Sequence, residues 1–191
     1  MKRLGVLGGT FDPPHRGHLT VALEALKELA LDQVIWIPAA VSPHKVGEKS
    51  SARSHRLEMV QMMTSADDHF VLDDREMNRP GPSFTVDTLR ELTRDHADSE
   101  LFLILGEDSL RSFATWKNPD TIRSLARLIV YRRLESGSGK LPPHNHLLSG
   151  LPVTVSSTDI RNLIRQKQSV DHLVTADVEA YIHAHKLYLS S

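Results

Sequence analysis

Residues 4–26 read LGVLGGTFDPPHRGHLTVALEAL, and the order of apolar and turn residues in this stretch decides the fold class. The short apolar run at 4–7, closed by paired glycines, predicts a buried strand that feeds a loop. Apolar residues at helical spacing then predict a helix over about 17–30, and VIWIP at 34–38 predicts a second strand stopped by proline. A strand, a helix and a second strand in this order form a parallel crossover unit.

The same alternation continues along the rest of the chain. Further strands are predicted at 70–72, 101–105, 128–131 and 153–155, and further helices at 56–65, 85–94, 158–165 and 176–185. This pattern indicates an α/β fold: a Rossmann-like, doubly wound and mostly parallel sheet with helices on both faces. With 191 residues the chain is expected to form a single domain, 1–191, that includes a C-terminal helical segment at about 158–188. The polar stretches 42–54 and 134–150 are predicted to be loops.

The composition is that of an ordinary globular protein, and it excludes several kinds of site. The chain is 40% hydrophobic and 25% charged, and the absence of cysteine rules out disulfides, thiolate metal sites and a cysteine nucleophile. A formal net charge of -1 gives no overall attraction to nucleic acid or to anionic membranes, so neither is expected as a partner. No apolar run has the length of a signal peptide or of a membrane span, which favours a cytoplasmic protein.

The loop after the first predicted strand lies where an open parallel sheet binds its ligand. Its glycines lack the spacing of the dinucleotide fingerprint, and no Gly-Lys-Ser/Thr follows as in a P-loop. His15 lies at or just before the first turn of the predicted helix and His18 within it, and if both are helical their separation of three places them on one face. A helix start attracts phosphate, and two imidazoles there could donate hydrogen bonds to phosphate oxygens as charge develops. The alternative is that both histidines only cap the helix or lie on the surface.

A second candidate anion site lies far downstream, in VSSTDIRNLI at 155–164. Ser156, Ser157 and Thr158 can cap a helix, with Asp159 completing an S-x-x-D capping pattern. Arg161 then projects from the first helical turn. Hydroxyls, helix N–H groups and a guanidinium together suit a phosphate, although an ordinary helix start has the same sequence pattern.

Two other residues have two interpretations each. Lys45, in Pro43-His44-Lys45, is either a cation aimed at a ligand or a solvated lysine, and Trp116 either stacks on a ligand ring or belongs to the core. The histidine pairs at 144/146 and 183/185 have no partners at ligand spacing, so no metal site is expected.

Taken together, these motifs resemble those of a known family. GGTFDPPHRGH, joined with SSTDIR, is similar to the nucleotidylyltransferase superfamily, whose members carry an H-x-G-H motif and a later S-S-T-x-x-R motif. PHK at 43–45, RPGPSFTVDTL at 79–89, GEDS at 106–109 and Trp116 narrow the resemblance to bacterial nicotinate-nucleotide adenylyltransferase. The match runs over nearly the whole chain, with its motifs in the expected order.

The resemblance implies a reaction and its cofactor. ATP and nicotinate mononucleotide would give nicotinate adenine dinucleotide and pyrophosphate, a step of NAD biosynthesis. The family is expected to use Mg²⁺ carried by the ATP phosphates, and to transfer the adenylyl group in line without a covalent enzyme intermediate.

The resemblance also implies roles for individual residues. The implied catalytic residues are His15, His18, Lys45 and Arg161. The implied ATP site comprises Gly8, Gly9, Thr10, Phe11, His15, His18, Gly106, Asp108, Ser157, Thr158 and Arg161. The implied site for nicotinate mononucleotide comprises Thr85, Trp116, Lys45 and Arg133.

Two positions depart from the family pattern. Where an arginine followed by Pro-Gly is usual, the chain reads YRRLE at 131–135, which makes Arg133 the counterpart of that arginine and Arg132 the alternative. Glu107 stands where a small residue is usual, and it is expected to point to solvent.

Three alternatives to this function remain open at the level of sequence. The acceptor could be nicotinamide mononucleotide or phosphopantetheine, or the chain could be a catalytically silent nucleotide-binding module on the same fold. The sequence also leaves open a homo-oligomeric state and any lid motion of residues 42–54.

Overall fold

A computed structural model describes residues 1–43, 50–133 and 140–189 of the chain. Within these residues six parallel strands form one sheet in the order β3-β2-β1-β4-β5-β6. The strands are β1 (Lys2–Gly9), β2 (Gln33–Pro38), β3 (Phe70–Leu72), β4 (Ser99–Gly106), β5 (Ala126–Tyr131) and β6 (His146–Leu147). The α-helices are α1 (Arg16–Glu28), α2 (Arg53–Thr64), α3 (Arg75–Asn78), α4 (Thr85–Asp95), α5 (Glu107–Ser112), α6 (Pro119–Leu125), α7 (Ser157–Arg165) and α8 (Ala176–Ala184), and a 3₁₀ turn, Phe113–Thr115, follows α5.

Both faces of the sheet are covered, because successive residues of a strand point to opposite sides. Val34 and Trp36 of β2 pack with apolar residues of α1, α2, α7 and α8 on one face. Ile35 and Ile37 of the same strand pack with apolar residues of α4, α5 and α6 on the other. The predicted doubly wound α/β fold with helices on both faces is therefore confirmed.

The sequence pattern predicts the wrong strand beside β5 at the outer side of the sheet. Residues 153–155 are predicted as a strand, but Val153 forms only a single bridge with Arg133. The edge strand is instead β6, within the stretch predicted to be a loop. A strand of two residues is too short to carry an alternating pattern, which explains the error.

The sequence pattern also fails to predict the short helices. The helices α3, α5 and α6 have 4, 6 and 7 residues, too few to repeat an apolar stripe. Of the helices that the structure describes, none combines the length and the apolarity needed to cross a bilayer.

Candidate active site

The carboxyl ends of β1, β2, β4 and β5 meet at one edge of the sheet, where an open parallel sheet binds ligands. The chain order reverses there, since β1 lies between β2 on one side and β4 on the other. A cavity of about 460 Å³, here called the large cavity, opens at this edge. A small cavity of about 180 Å³ adjoins it. The two share a boundary, called the junction below, which is formed by Leu7, Thr10, His18, Tyr131 and Arg133.

Most of the residues that the sequence singled out line one cavity or the other. The large cavity is lined by Gly8, Gly9, Thr10, His18, Thr85, Gly106, Trp116 and Arg133. The small cavity is lined by Thr10, Phe11, His15, His18, Arg133, Ser157 and Thr158. Asp108 and Arg161 lie beside the cavities without lining them, and Lys45 lies outside the described residues.

The two histidines meet at the start of α1. His15 is the N-cap residue in an extended conformation, and its ring stacks on that of His18 with 3.7 Å between ring centroids. The backbone N–H of His15 donates to Nδ1 of His18 over 3.1 Å. Nδ1 of His18 is therefore an acceptor, and in the neutral ring the proton lies on Nε2. His18 lies in the first turn of α1 but His15 precedes the helix, so the two imidazoles meet by stacking at the helix start rather than by sharing a helix face.

Both imidazoles are neutral at physiological pH. The pKa of His15 is lowered from 6.5 to about 3, mainly by burial and then by the positive charge of Arg133, while the charge of Asp159 opposes the shift. Burial also lowers the pKa of His18 well below its ordinary value, with smaller contributions from His15 and Arg133. Each ring therefore offers one N–H donor and no charge, so the charge that faces the junction comes from Arg133.

Gly17 explains how the start of α1 approaches the rest of the small cavity. A Cβ at this position would lie 2.7 Å from a methyl carbon of Val153 and 2.8 Å from one of Val155. The stretch that the sequence predicted as a strand thus packs against the first turn of α1, and only glycine leaves room for it.

The SSTDIR motif meets the first loop across the small cavity. Ser156 caps α7 by accepting a hydrogen bond from the N–H of Asp159 over 3.2 Å, as the capping pattern predicts. Ser157 Oγ donates to the carbonyl oxygen of Pro13 and Arg161 to that of Asp12, each over 2.8 Å. These bonds hold the N-terminus of α7 against the loop that carries the histidines.

A buried arginine that the sequence did not single out organises the same loop from the other side. Arg56 of α2 is 0% exposed, and its guanidinium donates to the carbonyl oxygens of Thr10 at 2.8 Å, Ala39 at 2.6 Å and Ala40 at 3.0 Å. It therefore ties the loop after β1 to the loop after β2. Sequence alone gives little signal for this role, because arginine is almost never fully buried.

The lining of the large cavity includes an aromatic ring and a buried carboxyl group. The Trp116 ring packs on Phe113 with 5.3 Å between centroids, at the end of the 3₁₀ turn that follows α5. Glu76, which the sequence also missed, is 7% exposed and accepts a hydrogen bond from Thr88 over 2.5 Å. Burial raises the pKa of Glu76, against the opposing effects of Thr88 and then Arg79.

The structure distinguishes the two arginines that follow β5. Arg133 lines both cavities and lies 3.7 Å from the Asp108 carboxylate, whereas Arg132 is exposed to solvent. The expectation for Glu107 is wrong. Glu107 is buried at 8% exposure, and its carboxylate pairs with Arg111 over 2.7 Å, one turn further along α5. This short helix was not predicted, so the pairing could not be anticipated.

The fold and the two loops that face the small cavity are those of a nucleotidylyltransferase. The family described as Cytidylyltransferase-like matches residues 6–163. A probable nicotinate-nucleotide adenylyltransferase of Synechococcus sp. (strain JA-3-3Ab) is 38% identical over 197 residues, which cover 98% of this chain and 95% of the relative. A protein of the same name from Bacillus pumilus (strain SAFR-032) is 38% identical over 191 residues, which cover 100% of both chains. The chain therefore belongs to the cytidylyltransferase-like family and, within it, to the nicotinate-nucleotide adenylyltransferases.

Solved structures agree on the fold. The Plasmodium falciparum nicotinic acid mononucleotide adenylyltransferase complexed with NaAD superposes with a TM-score of 0.82 over 98% of both chains, at 16% identity. A putative nicotinate-nucleotide adenylyltransferase from Vibrio parahaemolyticus gives a TM-score of 0.74 at 18% identity.

Proposed function

We propose that this chain transfers the adenylyl group of ATP to nicotinate mononucleotide, releasing pyrophosphate and forming nicotinate adenine dinucleotide in NAD biosynthesis. The observation that carries the proposal is the position of the His15–His18 pair, with His18 at the junction of the two cavities. A transferred phosphoryl centre has to lie between its two substrates, and this junction is the point that the two cavities have in common.

In this proposal the ATP phosphates lie at the small cavity. The starts of α1 and α7 both face it, and unpaired N–H groups at a helix start favour an anion. Gly8 and Gly9 let the backbone approach the nucleotide, and Thr10 and Phe11 line the site beside them. Ser157 and Thr158 supply hydroxyls for the outer phosphates.

The histidines act through neutral N–H donors. Nε2–H of His18 is available because Nδ1 already accepts a hydrogen bond. The hydrogen bond from a donor fixed in place becomes stronger as negative charge develops on the phosphoryl oxygens. It therefore stabilises the transition state more than it stabilises bound ATP. Arg133 adds positive charge at the same junction. We further propose that Arg161 acts by holding the loop at Asp12, and that Lys45 contacts the leaving pyrophosphate.

The large cavity receives the acceptor. Trp116 offers a ring face for the pyridine ring. The helix α4 begins at Thr85, which lines the same cavity, with backbone N–H groups suited to a carboxylate. Arg133 at the junction is placed to attract the phosphate of the mononucleotide. Gly106, with Asp108 beside it, lies at the end of β4, where we assign contacts to the ribose or base of ATP.

We assign Mg²⁺ to the ATP phosphates rather than to protein ligands. Among residues 1–43, 50–133 and 140–189, no group of three or more His, Asp or Glu side chains is placed to hold a metal ion. The described polar side chains that line the small cavity are neutral imidazoles, hydroxyls and the Arg133 guanidinium, with no carboxylate among them, and this lining fits an ion held mainly by phosphate oxygens and water. Held there, Mg²⁺ reduces the negative charge of the triphosphate.

A competition assay tests the proposal. Purified protein with ATP and Mg²⁺ is given nicotinate mononucleotide, nicotinamide mononucleotide or phosphopantetheine, and pyrophosphate release is followed for each. Rapid release with the nicotinate acceptor alone is expected. Release with another acceptor would keep the chemistry and change the assigned substrate, and no release with any acceptor would favour a silent nucleotide-binding module.

A further inference from the structure

The turn that follows α8, residues 185–189, returns to the loop that carries the histidines. The hydroxyl of Tyr188 donates to Oδ1 of Asp12 over 2.7 Å, and the two residues are 176 positions apart in the chain. Asp12 is 5% exposed, so this hydrogen bond is largely shielded from water. A bond to a buried carboxylate contributes more than one at the surface, because nothing in the solvent replaces it.

Asp12 is an unusual neighbour for an anion site. Its carboxylate would repel a triphosphate if it faced the small cavity, yet Asp12 lines neither cavity. One carboxylate oxygen is held by Tyr188, and the other accepts the backbone N–H of Ser51 over 3.1 Å. These two donors hold the carboxylate of Asp12 away from the proposed position of the phosphates. The backbone carbonyl of Asp12 accepts a hydrogen bond from Arg161.

The turn is held in a conformation that needs support. Lys186 and Tyr188 have φ angles of 51° and 64°, in the left-handed region that non-glycine residues rarely adopt. The backbone N–H of Leu187 donates to the carbonyl of Ile182 over 3.0 Å, which fixes the turn on α8. Burial, and then the charge of Asp12, raise the pKa of Tyr188, so the hydroxyl remains a donor at working pH.

We propose that Tyr188 is a positioning residue: its hydrogen bond to Asp12 holds residues 10–15 in the geometry in which His15 and His18 meet the ATP phosphates. Arg161 donates a hydrogen bond to the backbone carbonyl of Asp12, and Tyr188 donates one to its carboxylate. Asp12 is therefore held through both its backbone and its side chain, three residues before His15. The inference rests on the proposed function, because it assigns the effect of Tyr188 to the binding and reaction of ATP.

Tyr188→Phe tests the proposal, because it removes the hydroxyl and keeps the ring. Tyr181→Phe is the matched control: Tyr181 lies on α8, which leads into the same turn, but its hydroxyl contacts Nδ1 of His55 over 2.9 Å rather than Asp12. We expect Tyr188→Phe to lower kcat/KM for ATP by about tenfold or more, since small misplacements of catalytic groups reduce rates strongly. The KM for nicotinate mononucleotide should change by less than about twofold, and Tyr181→Phe should behave as wild type.

A double-mutant cycle separates positioning from general stability. Asp12→Asn should lower kcat/KM for ATP by a factor similar to that of Tyr188→Phe, and combining the two changes should add less than about twofold. Kinetic constants of Tyr188→Phe within twofold of wild type would overturn the inference. So would a lowered melting temperature with unchanged kcat and unchanged KM for ATP, because that result describes a purely structural role.

The inference can fail separately from the proposed function. If wild-type protein releases no pyrophosphate with any acceptor, the function is wrong, and ATP affinity by calorimetry then becomes the readout for Tyr188. Binding about tenfold weaker in Tyr188→Phe than in Tyr181→Phe would support the positioning role, and equal affinity would overturn it.

Discussion

The neutral state of His15 predicts how the stability of the ligand-free protein depends on pH. In the unfolded chain a histidine has a pKa near 6.5, whereas in the folded protein burial lowers the pKa of His15 to about 3. Below pH 6.5 the unfolded state therefore binds a proton that the folded state does not. The stabilisation is complete above pH 6.5 and is lost as the pH falls from 6.5 towards 3.

The size of the effect follows from the two pKa values. Between pH 7 and pH 5, His15 alone should lower the free energy of unfolding by about 2 kcal/mol. The pKa of His18 is lowered in the same sense, so the wild-type protein should lose more than this amount. Replacing His15 with glutamine keeps a polar side chain of similar size and removes its titration.

The assay is urea denaturation of wild type and His15→Gln at pH 7 and at pH 5. The variant should lose about 2 kcal/mol less than wild type between the two pH values, whatever its stability at pH 7. His172→Gln, at an imidazole whose side chain is 66% exposed, is the matched control and should follow wild type. An equal loss of unfolding free energy in wild type and His15→Gln would refute the argument. It would mean that His15 is protonated as easily in the folded state as in the unfolded state.

Three further substitutions test the site and its support. His18→Ala should lower kcat by about 100-fold or more with little change in KM for ATP, because its N–H acts mainly on the transition state; steady-state kinetics with a near-normal kcat would contradict this role. Trp116→Ala should raise the KM for nicotinate mononucleotide by about tenfold through lost ring stacking, and an unchanged KM would remove the stacking assignment. Arg56→Leu should lower the free energy of unfolding by about 3 kcal/mol in urea denaturation, because the carbonyls of Thr10 and Ala39 lose a charged donor; a loss below about 1 kcal/mol would mean that water replaces it.

The parts of the molecule that sequence predicts well are those governed by local pattern. The strand predicted at 4–7 lies within β1, and the helix predicted at about 17–30 overlaps α1 except at its last two residues. The closeness of His15 and His18 follows from their separation of three residues at a helix start, and the capping of α7 by Ser156 follows from residues three positions apart. In each case the residues that decide the structure are neighbours in the chain.

The contacts that sequence does not predict join residues far apart. Arg56 is buried because the loops after β1 and β2 both turn their carbonyl groups towards it, and nothing within α2 indicates that arrangement. The buried Glu76 lies on a helix of four residues, which is too short for periodicity to reveal. The burial of Glu107 depends in the same way on an unpredicted short helix.

The hydrogen bond between Asp12 and Tyr188 also has a consequence for the order of events during protein synthesis. The loop that carries the histidines is made within the first 18 residues, but its side-chain anchor is not made until residue 188. A nascent chain can pair its early strands and bury much of its core, yet the loop still lacks one of its fixed points. Activity should therefore appear only after residue 188 has been made and has reached this loop.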